Sequence, residues 1–386
     1  MNRREAVRAL VLGAAAPAVL RGRYRLFAQS NTQYSARAVR LVESTVVVDL
    51  LNQFQFPDYA VKPPKIDQWL TTPGTFTSED AARYRSSGIN VFCLGHAAAT
   101  YEQGLEFYAK WNGFIAGYSD WLTRIDKVGD FARAKAQNKT GIMLTFQDST
   151  HFRTPNDVTT FWGLGQRVSQ LTYNFNNRIG SGFLEERDGG LSVFGLSIME
   201  RMQQVGMAVD VSHCGDQTTL DALAAARKPV IFTHATARAL VPGHLRCKTD
   251  EAIQKMAKSG GVMGIAMIRF MVKNSEPVTI EDVVNHMDYV AKLVGVEHVA
   301  IGSDLDVVGN PNAVNGGGFD PRTQPNFSRY QYHEDRDGAI NIRGLNHEKR
   351  VFDLTDALIR RGYGDADIAA ILGGNARRVF GTIWPA

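Results

Sequence analysis

Apolar residues along this chain fall into two rhythms. Short, near-continuous apolar runs occur at Thr45–Leu51, Asn90–Gly95, Gly141–Phe146, Ser169–Tyr173, Met207–Ser212, Pro229–Thr233, Gly261–Met267 and His298–Ser303. Runs of this length without polar alternation suit parallel strands buried on both faces. Between most of them apolar positions recur every three or four residues, which predicts amphipathic helices over Tyr101–Ile125, Leu191–Val205, Gln217–Ala226, Asp250–Lys258 and Ile280–Val294. Gly206, Gly260 and Gly295 follow three of these helices, at the place of a C-cap. Eight strands with crossover helices predict an α/β fold, a closed (β/α)8 TIM-type barrel. The alternative, a doubly wound open sheet, lacks a Gly-rich phosphate loop after its first strand. Gly316-Gly317-Gly318 falls in a long polar loop after the eighth run and reads as a flexible segment. No repeat or linker divides the chain, so residues 30–386 are expected to form one domain.

Composition narrows the class. At 386 residues and 44% hydrophobic content the chain can bury a sizeable core without a staple. Three cysteines, Cys93, Cys214 and Cys247, exclude a disulfide scaffold and a Cys-rich zinc module. No apolar run reaches the roughly 18 residues of a membrane span. The formal net charge is +4, but residues 1–29 hold Arg3, Arg4, Arg8, Arg21, Arg23 and Arg25 against Glu5; the remainder carries 37 basic and 38 acidic residues. The basic character belongs to the leader, and the rest has no single-sign field suited to nucleic acid or anionic lipid. Arg3-Arg4, the short apolar stretch Ala9–Leu20 and the arginines after it read as a twin-arginine signal peptide over residues 1–29. An exported, periplasmic protein handled by the twin-arginine machinery is expected, with cleavage near Ala28.

In a barrel the chemistry sits at the C-terminal ends of the strands. There the polar residues are Asp49 to Gln53 after the first run, His96 after the second and Gln147-Asp148 after the third. Asp210 to His213 end the fifth, Thr233-His234 the sixth and Ser303-Asp304 the eighth. Two histidines ending adjacent strands, with a carboxylate ending the eighth, form a metal-hydrolase constellation. Neutral imidazoles suit Zn²⁺, an open coordination position holds a water whose pKa can fall to about 7, and a carboxylate can take and return its proton. One histidine alone at a strand end reads more simply as a hydrogen-bonded structural residue; a pair on one barrel face does not. Cys214 points away from His213 and has no activating base, so it reads as a packing residue. Trp111, Trp121, Trp162 and Trp384 read as packing aromatics, and Arg377-Arg378 as a helix surface.

Longer stretches carry a more specific likeness. Leu191-Ser192-Val193-Phe194-Gly195, Gly206 to His213, Pro229 to Arg238, Ile301 to Asp306 and Gly374 to Phe380 resemble the membrane (renal-type) dipeptidase family, in the family's order, from about residue 40 to the C-terminus. The resemblance implies an amidohydrolase-superfamily barrel with a zinc site, hydrolysing dipeptides with little side-chain selectivity. Family members carry a His-x-Asp metal pair after strand one; those positions here hold Leu51 and Gln53, and Leu51 has no donor atom. The metal-bridging glutamate falls on Gln147, and the histidine that steadies the tetrahedral intermediate falls on Tyr173. The second metal's histidines match His213 and His234, the general base matches Asp304, and the substrate-carboxylate arginine matches Arg246; Arg246 and Asn174 are expected to bind substrate.

With the bridging charge and two terminal ligands gone, at most one zinc ion is expected, on His213 and His234, with Gln147 or water completing its shell. Tyr173 keeps the ability to donate to an oxyanion. Asp148, His96 and His151 are replacement ligands in principle and read more simply as loop or supporting residues. Asp306, two residues past Asp304, is the rival base. The expected function is an exported zinc-dependent dipeptidase-like hydrolase cleaving a dipeptide or related small amide by metal-activated water. The alternative is a metal-depleted barrel that binds or matures a peptide-like metabolite without peptidase activity. A peptide-like small molecule is the expected partner, and a homodimer is compatible with either reading. Replacing Arg3 and Arg4 by lysine is expected to abolish export, read by fractionation of the producing cells; unchanged export of that variant would contradict the twin-arginine assignment.

Overall fold

The computed structural model describes residues 33–55, 65–307 and 344–385, with residues 23, 24 and 342. The Arg3-Arg4 motif, the expected cleavage site near Ala28 and the Gly316-Gly317-Gly318 loop lie outside the described residues. Among those described, eight parallel strands form a closed barrel: β1 (Val48–Asn52), β2 (Val91–Leu94), β3 (Thr140–Phe146), β4 (Gln166–Gln170), β5 (Ala208–Asp210), β6 (Val230–Ala235), β7 (Met263–Ile265) and β8 (Val299–Ile301). Neighbours in the chain are neighbours in the sheet, and Ile301 of β8 pairs with Asp49 of β1 to close the ring. All residues of β1, β2, β3 and β6 are buried, which is why these segments read as unbroken apolar runs. No helix among the described residues is long and apolar enough to cross a membrane.

Helices pack outside this ring where the periodicity puts them. Asp250–Lys258 and Ile280–Val294 match their expected limits, and Val193–Val205 and Asp216–Ala225 come within two residues of theirs. Gly206, at φ 86°, ends its helix in the left-handed conformation that a side chain would disfavour.

Two elements differ from the sequence expectation. The helix expected over Tyr101–Ile125 stops at Gly117, and Leu122–Arg124 forms a ninth, short parallel strand against β3. Tyr118 and Trp121 prolong the apolar rhythm because both pack on Phe76, not because the helix continues. The second difference is β4, which lies three residues earlier than the run Ser169–Tyr173. Four of its five residues are polar and all are buried. Gln166 Oε1 meets His151 Nε2, Arg167 donates to the carbonyls of Asp126 and Trp162, and Ser169 meets the Ser149 hydroxyl. Gln170 Nε2 donates to the carbonyls of Gln147 and Thr172. Side-chain hydrogen bonds replace apolar packing in this strand, and an apolar pattern cannot register it.

The barrel is tightest beneath the sixth strand. A Cβ on Gly264 of β7 would lie 2.0 Å from the Thr233 carbonyl oxygen, and one on Gly302, just past β8, 1.8 Å from it. Three backbones thus touch under His234, and only glycine admits the contact. Gly302→Ala is expected to destabilise the fold by about 1–3 kcal/mol, the usual effect of overpacking, measured as a lower denaturant midpoint. An unchanged midpoint would contradict this packing.

Candidate active site

The turn after β5 carries His213, and β6 itself carries His234. Asp210, the last residue of β5, joins the two elements. It accepts from the backbone N–H of Ser212 and Thr233 and from both their hydroxyls. Lys248 Nζ donates to the carbonyls of Val211 and Cys214, and the Arg246 guanidinium to those of Ser212 and His234. The backbones of both histidines are therefore held from below by two buried cations. The imidazoles meet with Nε2 2.9 Å from Nε2, while His213 Nδ1 lies 2.8 Å from Asn174 Oδ1 and His234 Nδ1 2.8 Å from Thr233 Oγ1. Burial, reinforced by the Arg246 charge, holds both imidazoles well below their ordinary pKa, so both are neutral.

Asp304 enters from the other side of the ring. Asp49 of β1 accepts from the N–H and hydroxyl of Ser303, and the Asp304 N–H donates to the Leu51 carbonyl. Asp304 itself has φ 58°, a left-handed turn that swings its carboxylate to 4.0 Å from His234 Nε2. Gln53 Nε2 donates to Asp304 Oδ1 at 3.1 Å. Burial pushes the Asp304 carboxyl up to about 7 against the opposing pull of Arg246 and Gln53. Tyr173 stacks on His213 with ring centroids 4.3 Å apart, and burial pushes its phenol up to about 12.

The geometry suits a cation. Two Zn–N bonds of about 2.0–2.1 Å at a tetrahedral angle separate their nitrogens by about 3.3 Å, so the 2.9 Å pair needs only a small opening to take one ion. Asp304 is the nearest anionic group. Among the described residues no three His, Cys, Asp or Glu side chains stand close enough together to hold a metal, so Asp304, 4.0 Å from His234 Nε2, lies just outside the histidine pair.

The remaining expected residues lie as follows. Gln147 is buried beside Gln53: a Cβ on Gly95 would meet Gln53 Nε2 at 2.7 Å and Gln147 Nε2 at 2.9 Å. Two neutral amides thus fill the β1–β3 side, and among the described residues Gln147 makes no hydrogen bond to either histidine. Asn174, expected to bind substrate, turns its Oδ1 to His213 Nδ1 and so helps orient that ring. Two of the Arg246 donors serve backbone carbonyls, so the side chain is fixed at the site's floor instead of free. Asp148 accepts from the N–H of Thr150 and Tyr173 and shapes the loop that bears Tyr173. His151 is buried among Phe146, Phe152 and Phe161, and His96 lies against Phe107; neither joins the pair. Asp306 acts on Tyr84 and Arg350, because the left-handed turn at Asp304 breaks the strand alternation that would align the two aspartates. Cys214 is buried and its thiol pushed up to about 11 by burial, as a packing residue should be.

Sequence reasoning noted Asp49, Asp210 and Thr233 as strand-end polar residues without giving them a role, and passed over Lys248. A signal existed: an aspartate or lysine inside or beside an apolar run must be compensated by donors or acceptors.

Residues 35–317 and 334–384 match the family model described as membrane dipeptidase (peptidase family M19). Among relatives, the chain is 27% identical to dipeptidase tcpJ of Claviceps purpurea over 68% of this chain and 55% of that protein. It is 30% identical to dipeptidase verJ of Clonostachys rogersoniana over 59% and 51%. The chain therefore spans about half the length of these relatives. A crystal structure of an amidohydrolase from Pseudomonas aeruginosa superposes with a TM-score of 0.73 at 25% identity, covering 90% of this chain and 99% of that one.

The raised Asp304 pKa fixes a sign for stability. Its unfolded pKa is near 3.9, so the folded state holds the proton more tightly, and stability falls as pH rises from about 4 towards 7 and levels off above. Asp304→Asn removes the partly buried charge and tolerates the left-handed turn. In the chelated, metal-free protein this variant is expected to gain thermal stability over the parent at pH 8, with the gain shrinking towards pH 4. A variant less stable at pH 8 than at pH 4, relative to the parent, would contradict the burial of this charge.

Proposed function

The chain belongs to the membrane dipeptidase family, and on that premise we propose that it is a zinc-dependent hydrolase cleaving a dipeptide or a related small amide. The observation that carries this reading is the 2.9 Å approach of two neutral imidazole Nε2 atoms at the C-terminal mouth of the barrel, with the Asp304 carboxylate 4.0 Å from one of them. His213 and His234 would hold the metal, which when bound supplies an acidified water and polarises the amide carbonyl. The neutral amides of Gln53 and Gln147 support one ion at most, since two dications side by side need anionic bridges.

The chain's own residues supply the rest. Asp304, with its pKa near neutrality, can accept a proton from the attacking water and return it to the departing amine. Gln53 keeps that carboxylate turned towards the histidines. Tyr173 keeps its phenolic proton at neutral pH and can donate it as a hydrogen bond to the developing oxyanion. Arg246 brings a fixed positive charge to the floor of the site, suited to the carboxylate end of a small peptide. The arginine pattern of residues 1–29 supports export to the periplasm.

The test is metal analysis of the purified mature protein alongside a panel of dipeptides. One zinc per chain and chelator-sensitive hydrolysis are expected. His213→Ala should remove the metal, Asp304→Asn should keep it and lower kcat by roughly 10²–10⁴, and Arg246→Ala should mainly raise KM. A zinc-loaded protein that cleaves no dipeptide, or a metal-free one that binds peptides unchanged, would overturn the reading.

A further inference from the structure

The contact between His213 Nε2 and His234 Nε2 has the length of a hydrogen bond, 2.9 Å. Such a bond needs a proton between the two nitrogens, and the surrounding donors show where the protons are. Asp210 is buried and accepts the Ser212 hydroxyl on Oδ1 at 2.6 Å and the Thr233 hydroxyl on Oδ2 at 2.5 Å. A hydroxyl has a single proton. With Asp210 ionised, the carboxylate can only accept, so Thr233 gives it its proton and towards His234 Nδ1 the Thr233 oxygen can only accept. The proton of the neutral His234 ring therefore sits on Nδ1. Asn174 turns its carbonyl oxygen to His213 Nδ1 and imposes the same tautomer there. Ser212 Oγ also lies 3.2 Å from Thr233 Oγ1; with its proton on the ionised Asp210 it has none to give Thr233, and its oxygen accepts the His234 backbone N–H at 3.1 Å. With both ring protons so placed, neither Nε2 would carry a hydrogen, and the 2.9 Å contact would be two lone pairs facing each other, a contact that repels until a cation shares it.

We propose that Asp210, acting through the Thr233 hydroxyl, is a positioning residue that locks His234 in its Nδ1–H tautomer and so makes the histidine pair a cation receptor instead of a closed hydrogen bond. The proposal rests on the metallohydrolase reading of the pair and adds the residues that enforce it. Thr233→Val removes the acceptor at Nδ1 and frees the ring to move its proton to Nε2, where it can bond to His213. Thr233→Ser keeps the hydroxyl and the lock. Asp210→Asn offers Thr233 a donor in place of an acceptor, which turns the hydroxyl proton towards Nδ1 and forces Nε2–H.

Long-range ¹H–¹⁵N correlation spectra of the metal-free protein read the tautomers directly, and Co²⁺ titration followed by its visible spectrum reads the affinity. Metal-free parent and Thr233→Ser should show an unprotonated Nε2 on both rings. Thr233→Val should show one protonated Nε2 and bind Co²⁺ about 10–100-fold more weakly, the usual effect of losing a group that orients a ligand. An Nε2–H in the metal-free parent, or Co²⁺ affinity in Thr233→Val equal to that in Thr233→Ser, would overturn the proposal. If Thr233→Val does not fold, the parent spectrum still decides. Because neither readout involves peptide cleavage, the expected tautomers in a protein that hydrolyses no dipeptide would refute the proposed activity alone. Dipeptide hydrolysis with an Nε2–H in the metal-free parent would refute the lock alone.

Discussion

A carboxylate buried in a barrel interior is tolerated only when donors surround it, and the candidate site depends on one that meets this condition. Asp210 collects four hydrogen bonds from Ser212 and Thr233, and in doing so binds the turn after β5 to the middle of β6. That one group sets the separation of the two histidine-bearing backbones. Asp49 repeats the arrangement across the ring, taking the N–H and hydroxyl of Ser303 and thereby tying β1 to the turn after β8. The histidines hang from the first clamp and Asp304 from the second. Removing either would loosen one half of the site and leave the other in place.

Charge compensation explains the floor beneath them. Arg246 and Lys248 both end on backbone carbonyls of the histidine-bearing segments, and Arg246 also feels the Asp210 charge. Burial holds the imidazoles neutral, the ligating form, and the positive charge of Arg246 and Lys248 reinforces it. The opposite wall, where Gln53 and Gln147 close over Gly95, adds hydrogen-bonding capacity but no charge. The histidine pair with Asp304 beside it fits the single dication proposed for this site.

The fold was legible in the sequence because most barrel strands are buried on both faces, and an apolar run leaves little else to read. β4 escaped that logic: Gln166, Arg167, Ser169 and Gln170 are buried through side-chain hydrogen bonds, so the pattern pointed three residues downstream to the apolar end of the segment. His213, His234, Asp304 and Tyr173 were legible as residues at strand ends, and the structure does gather them. Their supports were not. Thr233 looks like an ordinary β-branched strand residue until its hydroxyl is seen between Asp210 and His234. The left-handed turn at Asp304, which separates it from Asp306, likewise has no marker in a Ser-Asp-Leu-Asp stretch without glycine after the first strand-end residue.

We propose that this barrel builds one cation site on His213 and His234, with amides in place of a second. X-ray absorption at the zinc edge of the zinc-loaded protein tests it most directly. The account predicts a shell containing two imidazoles with light oxygen donors and no metal neighbour. A metal–metal vector at about 3.5–4 Å, the spacing of two-metal sites, or a shell with fewer than two imidazoles would contradict it.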